Sequence, residues 1–184
     1  ALTAPGSPHQ LAALELMRNL AADGDFSLRA CRIDLSPLLA AISKTPECAG
    51  QALPVLTSAC HSAAVRRKLS ADSNCVEALL ASLTATGAET LREPAIELVS
   101  QLASSESFRA AVATKAEPWL AALLSVASTP ACAPAAAAAI SRLAVRQDIR
   151  AAISASAPLV ERLVAMIPDP HATGALAVLG QWNH

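Results

Sequence analysis

The chain has almost no aromatic residues. There is no tyrosine among its 184 residues, and Phe26, Phe108, Trp119 and Trp182 are the whole aromatic set. Single-stranded nucleic acid is gripped largely by stacking bases on rings, so no nucleic-acid partner is expected. Charge is scarce too. Only 16% of residues are charged and the net charge is −1, which leaves no basic face of the kind a phosphate backbone requires. The densest basic cluster, Arg66-Arg67-Lys68, reads as a solvated helix face. Although 53% of residues are hydrophobic, no apolar run reaches the roughly 18–20 residues of a membrane span. The most apolar stretch, Ala131 to Ile140, is largely alanine and ends at Ser141 and Arg142, as a buried helix would.

Motifs that carry chemistry are missing as well. The six glycines form no phosphate loop, and no H-E-x-x-H or nucleophile motif is present. His9, His61, His171 and His184 lie far apart without metal-ligand spacing. A protein that is not an enzyme, with no cofactor and no metal, is the expectation. The five cysteines (Cys31, Cys48, Cys60, Cys75, Cys132) are odd in number and form neither CxxC pairs nor a Cys/His clamp. They read as small buried hydrophobes in an intracellular, reducing compartment, with cytoplasm and mitochondrion both left open. Residues 1–7 read as an N-terminal linker without the pattern of a signal peptide. The start at Ala1 leads us to expect either a removed targeting segment or an excerpt of a longer chain.

What the sequence does contain is repetition. ELMRNLAA (15–22), PVLTSACH (54–61), ELVSQLAS (97–104), AAISRLAV (138–145) and AVLGQWNH (177–184) start 39, 43, 41 and 39 residues apart. In each, positions two, three and six are small or apolar and position five is polar: Asn19, Ser58, Gln101, Arg142, Gln181. A second set, PLLAAIS (37–43), ALLASLT (78–84), ALLSVAS (122–128) and RLVAMIP (162–168), recurs at 41, 44 and 40. Between the two lies an apolar-arginine pair: Leu28-Arg29, Val65-Arg66, Phe108-Arg109, Ile149-Arg150. The arginine follows position six of the preceding segment by 9, 7, 7 and 7 residues. That places a guanidinium beside the last carbonyls of the preceding helix, where it meets the negative end of the helix dipole.

Ser7-Pro8, Ser36-Pro37, Thr45-Pro46, Thr129-Pro130 and Asp169-Pro170 each pair a capping side chain with proline at the first helical position. Each unit thus holds a short helix with the arginine, a middle helix, and a longer helix with the polar fifth position. A period near forty is the mark of helical repeats that bury their faces against neighbouring units. Helix over about 65–75% of residues and no sheet follow as the expectation, against roughly one-third helix in ordinary domains.

In these features the chain resembles the armadillo repeat family from about Gln10 to Trp182, and MRNLA (17–21) stands at that family's Leu-x-Asn-Leu-Ala pattern. The resemblance implies an all-α, right-handed solenoid of about four repeats over residues 8–184. A partial repeat would span 8–22, and full units about 25–61, 62–104, 105–145 and 146–184. It departs from the family in having Ala116 and Ala157 near the usual interhelix glycine. Pro54 and Pro94 fall inside third helices, where they are expected to kink or restart the chain. A HEAT-like two-helix unit stays open for those two copies.

Positions two, three and six share one helical face, so Leu16, Met17, Leu20 and Leu98, Val99, Leu102 are expected core triplets, thinning to Ala139, Ile140, Leu143. Positions one and five share another face: Glu15/Asn19, Pro54/Ser58, Glu97/Gln101, Ala138/Arg142 and Ala177/Gln181. The resemblance implies a concave groove lined by third helices, in which fifth-position side chains bond the backbone of an extended peptide. Only Asn19 matches the family's asparagine. Position one carries none of the tryptophans of importin-type members, which makes a nuclear-transport adaptor the second alternative. The leading expectation is a non-catalytic protein-interaction or scaffold module that binds with Asn19, Ser58, Gln101, Arg142, Gln181, Glu15 and Glu97. The first alternative is a structural subunit of a large multiprotein assembly, with an organellar location left open. In either case the apolar ends near Leu11–Leu16 and Ala175–Trp182 are expected to be covered by further chain or by a partner.

Overall fold

The computed structural model describes residues 8–22, 25–43, 45–85, 89–166 and 169–180. It is all-helical, with no strand among the described residues. The helices are α1 (Pro8–Ala21), α2 (Phe26–Ala30), α3 (Ser36–Ile42), α4 (Pro46–Ala59), α5 (Ala63–Ser70), α6 (Ser73–Thr84), α7 (Glu89–Leu102), α8 (Glu106–Thr114), α9 (Ala116–Ala127), α10 (Ala133–Leu143), α11 (Gln147–Ala155), α12 (Ala157–Ala165) and α13 (Pro170–Gly180). The spans 25–61 and 62–104 hold three helices each, so a two-helix unit does not describe them. No helix of the described residues is long and apolar enough to cross a membrane.

Side-chain caps set a few of the helix starts. Thr45 Oγ1 accepts from the Cys48 amide at 3.2 Å, and Asp169 Oδ1 accepts from the amides of His171 at 2.8 Å and Ala172 at 3.0 Å. Ser36 opens α3 without capping it. Asp34 Oδ1 takes both its amide, at 3.0 Å, and its hydroxyl, at 2.7 Å, and these bonds hold the Asp34 carboxyl below the usual range. The Thr129-Pro130 start is corrected. These residues form a turn whose Thr129 carbonyl accepts from the amides of Cys132 and Ala133, both at 3.0 Å, and the helix starts at Ala133 with Pro134 in its first turn. Ser7 lies outside the described residues.

The helices pack by type. The long ones touch in the order α1, α4, α7, α10, α13, and the middle ones in the order α3, α6, α9, α12. One core runs between the two rows. Trp119, fully buried, meets Phe108 edge-on with ring centroids 5.6 Å apart. α10 contributes mainly alanines, Ala136 to Ala139, so its backbone comes close to its neighbours.

The expected core triplets are buried in α4 (Val55, Leu56, Ala59), α7 and α10, but not in α1. There Leu16 is 60% and Leu20 55% exposed, because α1 has α4 on one side and no described long helix on the other. Its packing seam is Leu14, Met17 and Ala21 instead. The two internal prolines also behave differently from expectation, since α4 and α7 run through Pro54 and Pro94 without restarting. Each proline leaves a carbonyl four residues earlier without its helical donor, at Gly50 and Thr90. Both residues line one open cleft, where water can satisfy those carbonyls.

Candidate functional site

Arg66, Arg109 and Arg150 of the arginine row bind where their spacing put them. Arg66 Nη1 donates to the carbonyls of Cys60 at 2.5 Å and His61 at 3.1 Å, just past the end of α4. Arg109 Nη1 donates to Ala103 at 3.1 Å and Ser104 at 3.0 Å beyond α7, and Arg150 to Ala144 at 3.4 Å beyond α10. Each satisfies carbonyls that a helix end leaves open. Arg162 does the same for α9 with no sequence cue, giving two bonds to the Ala127 carbonyl at 2.9 and 2.7 Å.

Four of the expected polar residues of the long helices line two clefts. Glu97, Gln101 and Arg142 share a cleft of about 430 Å³ with Arg66, Ser100 and Ser104. Glu15 lies in another, of about 470 Å³, whose lining includes Glu47, Gly50, Gln51 and Thr90. Asn19 is exposed on α1 and Ser58 half-buried on α4, and neither belongs to the lining of these clefts. Gln181 lies outside the described residues, as does Trp182.

Arg142 is the most constrained member. Its Nη1 reaches across to α7 and donates to the Ser100 carbonyl and, at 2.8 Å, to the Ser100 hydroxyl. That bond joins positions 42 residues apart. The guanidinium is thus fixed in direction while the residue as a whole stays exposed. Sequence reading missed Ser100, Ser104 and the entry of Arg66 into this cleft. The one available signal was the serine directly before Gln101. The Gln51 Oε1 atom, in the same cleft as Glu47, is buried without a hydrogen-bond partner among the described residues, and no pattern marked it.

Elsewhere some of the charges pair with one another. Glu106 receives Arg109 at 2.7 Å and Arg146 at 2.6 Å, and these bonds lower its carboxyl pKa. Arg146 also holds Asp148 at 2.8 Å and brings it down to about 2. Lys115 lowers Glu77 through a 2.7 Å bond. The five cysteines are free thiols, four of them buried, and desolvation pushes Cys60 and Cys75 up to about 12. Thiols in that state are poor nucleophiles. Among the described residues no three His, Cys, Asp or Glu side chains come together as a metal site. The sequence matches no protein-family model and no curated protein.

Proposed function

We propose that this chain is a non-catalytic protein-interaction module, built as a right-handed α-solenoid of about four armadillo-like repeats, that holds an extended partner segment along its long helices. The observation that carries this reading is the cleft where Glu97, Gln101 and Arg142 converge from two consecutive long helices. It offers donors and acceptors at a spacing set by the helices, as main-chain recognition requires.

The test uses a partner recovered at endogenous level and mapped to this face by crosslinking. Asn19→Ala with Gln101→Ala should leave the melting curve nearly unchanged, since Asn19 is exposed and Gln101 half-buried in an open cleft, and substitutions outside the core stay within about 0.5 kcal/mol. Binding should weaken by roughly 0.5–1.5 kcal/mol per neutral hydrogen bond lost. Unchanged affinity with an unchanged melt would remove the groove reading.

A second reading, a structural subunit of a larger assembly, is favoured by the exposed Leu16 and Leu20 of α1. Under it, crosslinks to neighbours would map to that face as well as to the cleft.

A further inference from the structure

We infer that the cleft between α7 and α10 is a carboxylate subsite, so that the segment bound on this face carries an aspartate or glutamate that docks against Arg142. The inference rests on the groove reading above and names the chemistry of its occupant. Two guanidinium groups, Arg66 and Arg142, line the cleft against one carboxylate, Glu97. Among the described residues neither arginine has an ion-pair partner, in contrast to Arg109 and Arg146. The local charge therefore remains to be matched.

The two arginines are held differently. Arg66 is occupied at its Nη1 by the two carbonyls past α4 and supplies positive potential from the rim. Arg142 is fixed by Ser100 through Nη1, and its Nε and Nη2 have no hydrogen-bond partner among the described residues. A guanidinium presents paired donors at a carboxylate's spacing, and a fork already fixed in place loses less freedom on binding. Gln101 and Ser104 stand in the same lining as neutral groups for the adjoining peptide units. The neighbouring cleft carries Glu15 and Glu47. A long polyacidic run laid across both clefts would be repelled there, so the fitting segment has one or two acidic residues and not a tract. Ser100 is a positioning residue in this scheme.

The probe is a capped hexapeptide with two central glutamates, compared with its glutamine counterpart, on the full chain. Binding is followed by NMR at the Arg142 Nε–Hε signal. The glutamate peptide should bind about tenfold tighter or more and shift that signal. Arg142→Gln should abolish the difference, Arg142→Lys should weaken it, and Ser100→Ala should lessen the shift while the melting curves of all three stay close to the parent's. Equal binding of the two peptides would overturn the inference, as would an identical shift with sodium acetate at equal ionic strength, which means an adventitious ion only. Tighter binding of an oligonucleotide at the same signal would overturn it too. If charge proves irrelevant while the Asn19 and Gln101 double variant still loses its partner, the carboxylate inference fails and the groove reading stands.

Discussion

At the scale of single residues, this protein uses arginine chiefly as a cap and a staple. The bidentate pair between Arg146 and Asp148 makes the chemistry measurable, with Nε to Oδ1 at 3.1 Å and Nη2 to Oδ2 at 2.8 Å. These bonds hold the folded-state carboxyl at about 2, below the ordinary aspartate value of about 3.9. A depressed carboxylate contributes its stabilisation fully above the unfolded value, and loses it as pH falls through the folded one. The Asp148 side chain is 52% exposed and that of Arg146 29%, so solvent screening keeps the effect on overall stability small and the titration itself is the useful readout. Carboxyl NMR should place the Asp148 midpoint near 2 in the parent and near the usual value in Arg146→Gln. An ordinary midpoint in the parent would mean the pair does not persist in solution. The caps at Arg66 and Arg109 were legible because each arginine follows position six of the preceding segment by the same 7 residues. The bond from Arg142 to Ser100 was not, because it depends on how far one long helix slides along the next, and no residue spacing encodes that shift.

At the scale of helices, a repeated pattern says which face is apolar but not whether a neighbour covers it. Leu16 and Leu98 occupy the same position of the repeated segment, yet one is 60% exposed and the other fully buried. Leu98→Ala should cost about 2–5 kcal/mol through lost burial and the cavity left in α7. Leu16→Ala should stay within about 0.5 kcal/mol. Chemical denaturation of the two variants side by side checks this, and equal losses would mean that something covers α1 in solution. The internal prolines illustrate the same limit. Local rules read Pro54 and Pro94 as breaks, but the lost bonds fall at Gly50 and Thr90, which open on a cleft and can be hydrated. Tertiary burial on the other face of α4 and α7 outweighs one missing bond in each helix. Thr129-Pro130 fails as a start for a comparable reason, because the turn that follows α9 already uses the Thr129 carbonyl.

At the scale of the whole chain, the strongest helix contacts join each long helix to the long helix of the next unit. Cohesion is therefore distributed between adjacent units, and stability should vary with the number of flanking neighbours. α7 and α10 are covered on both sides, and their buried positions include Ile96, Leu98, Val99 and Leu102 in one and Ala136 to Ile140 in the other. α1 is covered by α4 on one side only, and the buried residues of α13 are Ala172 and Ala175. Opening an outer helix breaks one junction, whereas opening an inner one breaks two. Native-state hydrogen exchange reads such differences directly, since local openings range from nearly free to the global unfolding energy. The amides of α7 and α10 should exchange most slowly, those of α4 next, and those of α1 and α13 earliest. Uniform protection from α1 to α13 would show one cooperative unit in place of coupled repeats. It would weaken the solenoid reading at its base, because a stack held by neighbour contacts has no means of lending its ends the stability of its middle.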